Sequence, residues 1–177
     1  MTITGAGMWY TNLKFTNPNP FGGGISGGNG SHGPDGYCNN VEICNLYLNS
    51  NLRSRHNQDV FKGGSVIHHV WEDHFECGFW IGDYNGKVDY SNDLKIISCR
   101  IRNNFADGVN FCQGTSNATV YNCSVRNNGD DGLAMWNDHT MGAVDEKNNT
   151  FAYNTIELIW RAGGIALYGG EGNGGVI

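Results

Sequence analysis

The strongest constraint in this sequence is a repeat of 24 residues in its second half. Segments 99–108 and 123–132 match at several positions, and each segment is followed by an alternating apolar run. Among the matches are Cys99/Cys123, Asn103/Asn127, Asp107/Asp131 and Gly108/Gly132. A unit of this length cannot bury its own apolar face, and successive copies must therefore stack on one another. The repeat therefore predicts a solenoid.

The apolar runs that follow the bends align into columns. When the repeats are superimposed on the glycine, two columns result: Phe79/Val109/Leu133/Ile165 and Ile81/Phe111/Met135/Leu167. Alternation along a strand places these residues inside and their neighbours outside. The gaps between runs are short and rich in Gly and Asn, which excludes the helices that a βαβ fold requires. The pattern predicts an all-β, right-handed parallel β-helix.

The whole chain, residues 1–177, is expected to form one β-helix domain. Residues 17–37 contain two prolines and several glycine runs without a core-facing pattern, and they are predicted to form an inserted loop. Neither end of the sequence resembles a cap. We therefore expect the stack to be a fragment of a larger β-helix with further coils on both sides.

Composition excludes several classes of partner. The net charge is −6 with only 11 scattered Lys and Arg, so no basic patch for nucleic acid is visible. No apolar run approaches the ~20 residues of a membrane span. The first residues lack the basic start and apolar block of a signal peptide. These features predict neither nucleic-acid nor membrane binding.

The six cysteines lack zinc-ligand spacing, and their positions favour free core residues over disulfides. Cys44, Cys99 and Cys123 are predicted to occupy the same place in three coils. His68 falls in the same predicted column and is interpreted as a core histidine.

Three aspartates are predicted to meet at the bends. Stacked coils lie ~4.8 Å apart, so Asp107 and Asp131 should be close neighbours, and the glycine-flanked bend can turn Asp130 toward them. Two like charges at this distance raise the pKa of at least one carboxyl. The trio can supply an acid for a leaving oxygen and a base for water, as inverting glycosidases require. The alternative is that Asp-Gly is simply a common turn pair.

Aromatic and polar side chains are predicted to lie near the same bends. Trp80, Trp136 and Tyr168 could stack on the flat faces of sugar rings, or could merely cover the coils. The other candidates for binding sugar hydroxyls are Glu76, Asp83, Asn110, Asp138, His139 and Arg161. No residue is assigned as a metal ligand.

Most of the chain resembles family 87 glycoside hydrolases, the bacterial α-1,3-glucanases and mycodextranases. The resemblance is carried by four stretches: Gly5–Thr11, Phe75–Tyr84, Asn103–Gly108 and Asn127–Trp136. It implies a secreted parent protein with carbohydrate-binding modules, and an inverting β-helix catalytic domain that acts on mutan- or nigeran-type α-1,3-glucan.

The related polygalacturonases use a similar trio in which the first of two adjacent aspartates is the acid. Carried over, the resemblance implies that Asp130 is the acid and that Asp107 and Asp131 activate water. No cofactor is implied, and structural calcium stays open.

Two other functions fit the β-helix. One is a polysaccharide lyase, which usually needs a calcium cluster and a Lys or Arg base; here Arg161 is the main basic candidate near the trio. The other is a non-catalytic carbohydrate-binding or adhesin module, which would retain the core columns but has no need for three convergent aspartates.

Overall fold

The computed structural model describes residues 1–16, 24–25, 27, 38–52, 56–59, 61–62, 64–82 and 90–168. Most of the predicted inserted loop, 17–37, lies outside these residues, as does Asp83. The described chain is built from short strands and one 3₁₀ turn at His139–Met141. None of its helices is long and apolar enough to cross a membrane.

The strands are β1 (Thr2–Thr4), β2 (Asn12–Lys14), β3 (Cys38–Asn39), β4 (Glu42–Asn49), β5 (His56–Asp59), β6 (Phe61–Lys62), β7 (Val66–Asp73), β8 (Cys77–Ile81), β9 (Lys95–Ile97), β10 (Arg100–Arg102), β11 (Val109–Cys112), β12 (Thr119–Tyr121), β13 (Ser124–Arg126), β14 (Leu133–Trp136), β15 (Thr150–Ala152), β16 (Thr155–Glu157) and β17 (Ile165–Tyr168).

Two parallel sheets form the walls of the solenoid. The first sheet runs β15-β12-β9-β7-β10-β13-β16, with β4 paired to β7 and with β1 and β2 paired to β4. The second sheet runs β17-β14-β11-β8-β5. A small β3–β6 pair lies apart from them. Consecutive coils thus stack in parallel, and the predicted all-β parallel β-helix is confirmed.

Strand register confirms both predicted core columns. Val109 pairs with Phe79 and with Leu133, and Leu133 pairs with Ile165. In the second column, Phe111 pairs with Ile81 and with Met135. Val109 and Phe111 are both fully buried. Leu167 is 57% exposed because no described strand stacks on the far side of its coil.

The glycine that follows each bend is required by close packing between coils. A Cβ at Gly78, Gly108 or Gly132 would lie 2.4–2.6 Å from the carbonyl oxygen of the equivalent glycine in the next coil. Any side chain there would push the coils apart, and overpacking of this kind is destabilising. Packing therefore accounts for the glycine of each Asp-Gly pair, although it leaves the aspartate unexplained.

Asparagine ladders hold the bends in register. Asn127 donates from Nδ2 to Asn103 Oδ1 at 2.7 Å. A second ladder lies inside, where Asn104 donates to Asn128 Oδ1 at 3.0 Å. Both exterior asparagines have positive φ, a conformation that Asn tolerates better than most residues.

The predicted cysteine column is wrong for Cys44. The chain turns a corner at left-handed residues, among them Asn45 and Ser98, and each such residue breaks the inside–outside alternation. Cys44 precedes its corner, whereas Cys99 and Cys123 follow theirs, so Cys44 pairs with His68 instead. All six cysteines are free, as predicted.

His68 is not a core histidine. Its side chain is 24% exposed, and its Nε2 lies 3.1 Å from Glu42 Oε1 on the outer face of the first sheet. The same corner explains the error, because His68 immediately precedes the left-handed His69 and so faces outward.

Candidate active site

Two aspartates of the trio bind the backbone of the next coil. Asp107 Oδ1 accepts the N–H of Asp131 at 3.0 Å, and Asp131 Oδ1 accepts the N–H of Gly163 at 2.8 Å. Both residues directly precede the tightly packed glycines, and both are almost completely buried. Their orientation is therefore fixed by the stacking of the coils.

The third aspartate joins them from the same bend. Each of Asp107, Asp130 and Asp131 offers one carboxylate oxygen, and these three oxygens all lie within 4.8 Å of one another. Unlike its neighbours, the Asp130 side chain is 47% exposed. The cluster thus combines two buried, oriented carboxylates with one that reaches open solvent.

Burial changes the acidity of Asp107. Removal of its carboxylate from water raises the pKa of Asp107 to about 6, although hydrogen bonds from Asn110 and from the Asp131 N–H oppose the shift. The negative charges of Asp130 and Asp131 raise it further. Asp107 thus becomes a stronger base than an ordinary carboxylate.

The trio lies in an open cleft of about 380 Å³. Trp80 and Trp136 stand together on its wall, with ring centroids 5.8 Å apart and planes tilted by 58°. Tyr168 pairs in register with Trp136 and faces the carboxylates of the trio. The charge of Asp131 is the main cause that raises the pKa of Tyr168. The cleft is lined by Trp80, Asp107, Asn110, Asp130, Asp131, Trp136 and Tyr168.

Arg161 lies beside the cleft, next to Asp130. Its Nη2 is 4.0 Å from Asp130 Oδ2. The guanidinium also donates to the backbone carbonyls of Gly129 and Phe105. These bonds hold the chain directly before Asp130 and two residues before Asp107, so Arg161 helps to fix both bends that carry the trio.

The remaining predicted binding residues do not line the cleft. Asp138 accepts the N–H of Thr140 at 2.8 Å and begins the 3₁₀ turn. His139 Nε2 lies 3.6 Å from an oxygen of Asp145. Glu76 is half-buried, and its carbonyl accepts the N–H of Ala106.

A second cavity, of about 560 Å³, was not predicted from the sequence. Phe105 and Trp160 lie on its wall and are more than half exposed. The Arg161 guanidinium lies 5.0 Å from the Phe105 ring centroid and 5.6 Å from that of Trp160, which connects this cavity to the edge of the trio. The sequence signal that could have indicated this cavity was an aromatic residue, Phe105, two positions before Asp107.

The trio is also the oxygen-rich cluster that a hard cation such as Ca²⁺ would prefer. The expectation that the site requires no metal or other cofactor therefore remains a prediction.

Fold and cleft together define a class: a parallel β-helix with clustered carboxylates beside aromatic rings, an arrangement suited to acting on polysaccharides. Residues 1–175 match the family described as Alpha-1,3-glucanase catalytic domain D2, and the chain belongs to this family. No curated protein matches the chain at a significant level.

Solved structures agree with this assignment. The catalytic domain of Agl-KA is 50% identical with a TM-score of 0.81, and the match covers 98% of this chain and 30% of that one. The catalytic unit of a thermostable family 87 α-1,3-glucanase from Streptomyces thermodiastaticus strain HF3-3 is 27% identical with a TM-score of 0.70, covering 97% and 29%. A family 87 α-1,3-glucanase catalytic domain in complex with nigerose is 25% identical with a TM-score of 0.62, again covering 97% and 29%. The chain thus spans about a third of the length of these relatives.

Proposed function

We propose that the protein containing this chain hydrolyses α-1,3-glucan of the mutan or nigeran type with inversion of configuration. The observation that carries the proposal is the convergence of three aspartates within an aromatic cleft, in a chain of the α-1,3-glucanase family. Relatives have been solved in complex with nigerose and with tetrasaccharides. Because the substrate is a polymer, we place the parent protein outside the cell, with flanking coils or carbohydrate-binding modules.

The exposures of the carboxylates support distinct roles. Asp130 is half-exposed and can reach a glycosidic oxygen, so it serves as the general acid. Asp107 and Asp131 each commit one oxygen to a backbone N–H, and their other oxygens hold and deprotonate the attacking water. With its pKa at about 6, Asp107 is ionised and able to accept the proton above that pH.

The lyase alternative is less consistent with the site. A lyase would need a free basic side chain to remove a proton, whereas Arg161 is committed to two carbonyls. The cluster of carboxylates would also repel the uronic acids on which such enzymes act. Incubation of the intact parent protein with α-1,3-glucan, nigeran, dextran and polygalacturonate separates the substrate classes.

Product stereochemistry is the direct test of the mechanism. We expect the first product to have the anomeric configuration opposite to the substrate, because water attacks directly from the far face. One oxygen of each carboxylate lies within 4.8 Å of the others, whereas the two carboxyl groups of inverting enzymes are usually ~6.5–9.5 Å apart. Spacing alone therefore does not identify the mechanism, and the stereochemistry of the product does. NMR of the nascent sugar, recorded before mutarotation, gives the answer. Retention would show a covalent intermediate on one aspartate and overturn the water-holding pair.

Trp136→Ala tests the role of the aromatic wall. We expect KM to rise by ~5–150-fold, if a sugar ring on an aromatic face is worth the same ~1–3 kcal/mol as a stacked base. The change in kcat should be smaller, because the platform binds substrate and transition state alike. Steady-state kinetics on soluble α-1,3-oligosaccharides measure both constants. Tyr153→Ala, which removes an 81% exposed ring directly after β15 of the other sheet, is the matched control. If Trp136→Ala unfolds the protein, the ring belongs to packing instead.

A further inference from the structure

A second cluster of chemically reactive side chains lies on the outer face of the first sheet, away from the strands of the cleft. It consists of Glu42, Cys44 and His68, whose ligand atoms all lie within 4.8 Å of one another. β4 contributes the first two residues at alternate positions, and the parallel pairing of β4 with β7 sets His68 directly beside Cys44. The register therefore fixes the convergence of the three groups.

The donor atoms suit a metal ion of intermediate softness, such as Zn²⁺. A thiolate, an imidazole and a carboxylate are the ligands that Zn²⁺ takes, at ~2.0–2.3 Å from the metal. Four such bonds around one ion separate the donor atoms by ~3–4 Å, so the observed spacing needs only small side-chain adjustments. Calcium and magnesium prefer oxygen donors throughout, and the sulfur and nitrogen here disfavour them.

Each of the three side chains is held by a further partner. Thr2 donates to Glu42 Oε2 at 3.1 Å, which leaves Oε1 facing His68. Asn45 Nδ2 contacts Cys44 Sγ at 3.5 Å, and the Thr4 hydroxyl lies 3.3 Å from the same sulfur. Both groups can donate to a thiolate.

The histidine ring is oriented in the same way. His68 Nδ1 lies 2.8 Å from His69 Nδ1, and His69 itself has a left-handed backbone, with φ of 51°. A proton shared on that side leaves the lone pair of His68 Nε2 available to a metal that replaces its contact with Glu42 Oε1. Outer partners that orient each ligand and select the histidine tautomer are typical of metal sites.

We propose that Glu42, Cys44 and His68 form a binding site for a zinc-class divalent ion. Cys44 is buried, whereas the His68 and Glu42 side chains are 24% and 42% exposed. The exposed side leaves the fourth coordination position open to water. On binding, the Cys44 thiol releases its proton to solvent, so metal affinity rises with pH.

Co²⁺ replaces Zn²⁺ in such sites and reports sulfur ligation by absorption, which makes it the probe for the full chain. We expect one equivalent of Co²⁺ to produce a thiolate-to-cobalt charge-transfer band in the near ultraviolet, and Zn²⁺ to abolish that band by displacement. Excess Ca²⁺ should leave it unchanged. Absence of the band in the wild-type chain would overturn the proposal.

Variants assign the ligands. Cys44→Ser should remove the band, and His68→Gln should weaken Co²⁺ binding by at least ~10-fold, the lower end of what loss of even a supporting partner costs. Cys38→Ser, at a half-buried free cysteine outside the cluster, should retain the band. Circular dichroism checks folding, and if Cys44→Ser fails to fold, the affinity of His68→Gln decides.

The carboxylate cluster of the cleft is the competing site, and Asp131→Asn separates the two. We expect that variant to keep the charge-transfer band, because its carboxylate is on the other wall of the solenoid. A band that survives Cys44→Ser, or Co²⁺ binding without a band that is lost in Asp131→Asn, would place the metal elsewhere and refute the assignment.

Discussion

Asp130→Asn is expected to lower hydrolysis of α-1,3-glucan by the intact parent protein by about 10²–10⁴-fold, the usual contribution of a general acid. An amide cannot protonate the departing sugar oxygen. A glycosyl fluoride, whose leaving group needs little protonation, should be hydrolysed at a rate much closer to that of the wild-type protein. Initial rates on both substrates measure the difference.

The matched variants are Asp107→Asn and Asp131→Asn. Both should lose activity on glucan and on the fluoride alike, because activation of water is required whatever group leaves. Two results would show that the acid has been assigned to the wrong aspartate. One is rescue of either variant by the fluoride, and the other is an equal loss of activity on both substrates in Asp130→Asn. Asp130 is half-exposed and can reach the leaving group, so we do not expect the fluoride to rescue Asp107→Asn or Asp131→Asn.

Glu146→Gln is expected to stabilise the chain at pH 8 by about 3–5 kcal/mol, from ~1.4 kcal/mol per unit of pKa shift. Glu146 is 7% exposed, and burial raises its pKa to about 8. Its Oε1 has no hydrogen-bond partner among the described residues. Glutamine keeps the shape of the protonated acid and never acquires the buried charge.

The pH dependence has a definite sign. Between the ordinary value of 4.5 and the folded value of about 8, the folded state holds a proton that the unfolded state has released. The wild-type chain therefore loses stability as pH rises through this window, relative to Glu146→Gln. Below pH 4.5 both states are protonated and the two proteins should be equally stable.

Urea unfolding of both proteins at several pH values measures this difference. Asp107 contributes a loss of the same sign between 3.8 and about 6, but it is present in both proteins and cancels in the comparison. The control is Glu157→Gln, whose side chain is 50% exposed and paired with Arg126, and which should change stability by less than ~1 kcal/mol. A Glu146→Gln variant no more stable than wild type at pH 8 would mean that the carboxylate is solvated.

Much of the site could be predicted from the sequence because stacking leaves little freedom. A coil that repeats after 24 residues must place residue i beside i+24, so Asp107 meets Asp131 and Val109 meets Leu133. The outer members of the core columns lie at other offsets, 30 residues for Phe79 and 32 for Ile165, and they follow from alignment on the glycine of each bend. Asp130 required the additional inference that a glycine-flanked bend can turn both adjacent carboxylates to one side.

Other features required knowledge of the corners. Alternation predicts faces only within a continuous strand, and left-handed residues such as Asn45 and Ser98 reset it. Because Cys44 lies before its corner and Cys99 after, the two cysteines do not share a column. The same effect turned His68 from the core to the surface.

By itself, the sequence determined the fold, the pairing of equivalent coils and the meeting of Asp107 with Asp131, since these follow from the repeat pattern. Only the tertiary structure decided what depends on distances between non-equivalent positions. It tied Arg161 to two carbonyls, left Glu146 buried, and brought Glu42 to the side of His68. A repeat specifies which residues stack on one another, whereas loops and corners set the remaining contacts through packing that no period encodes.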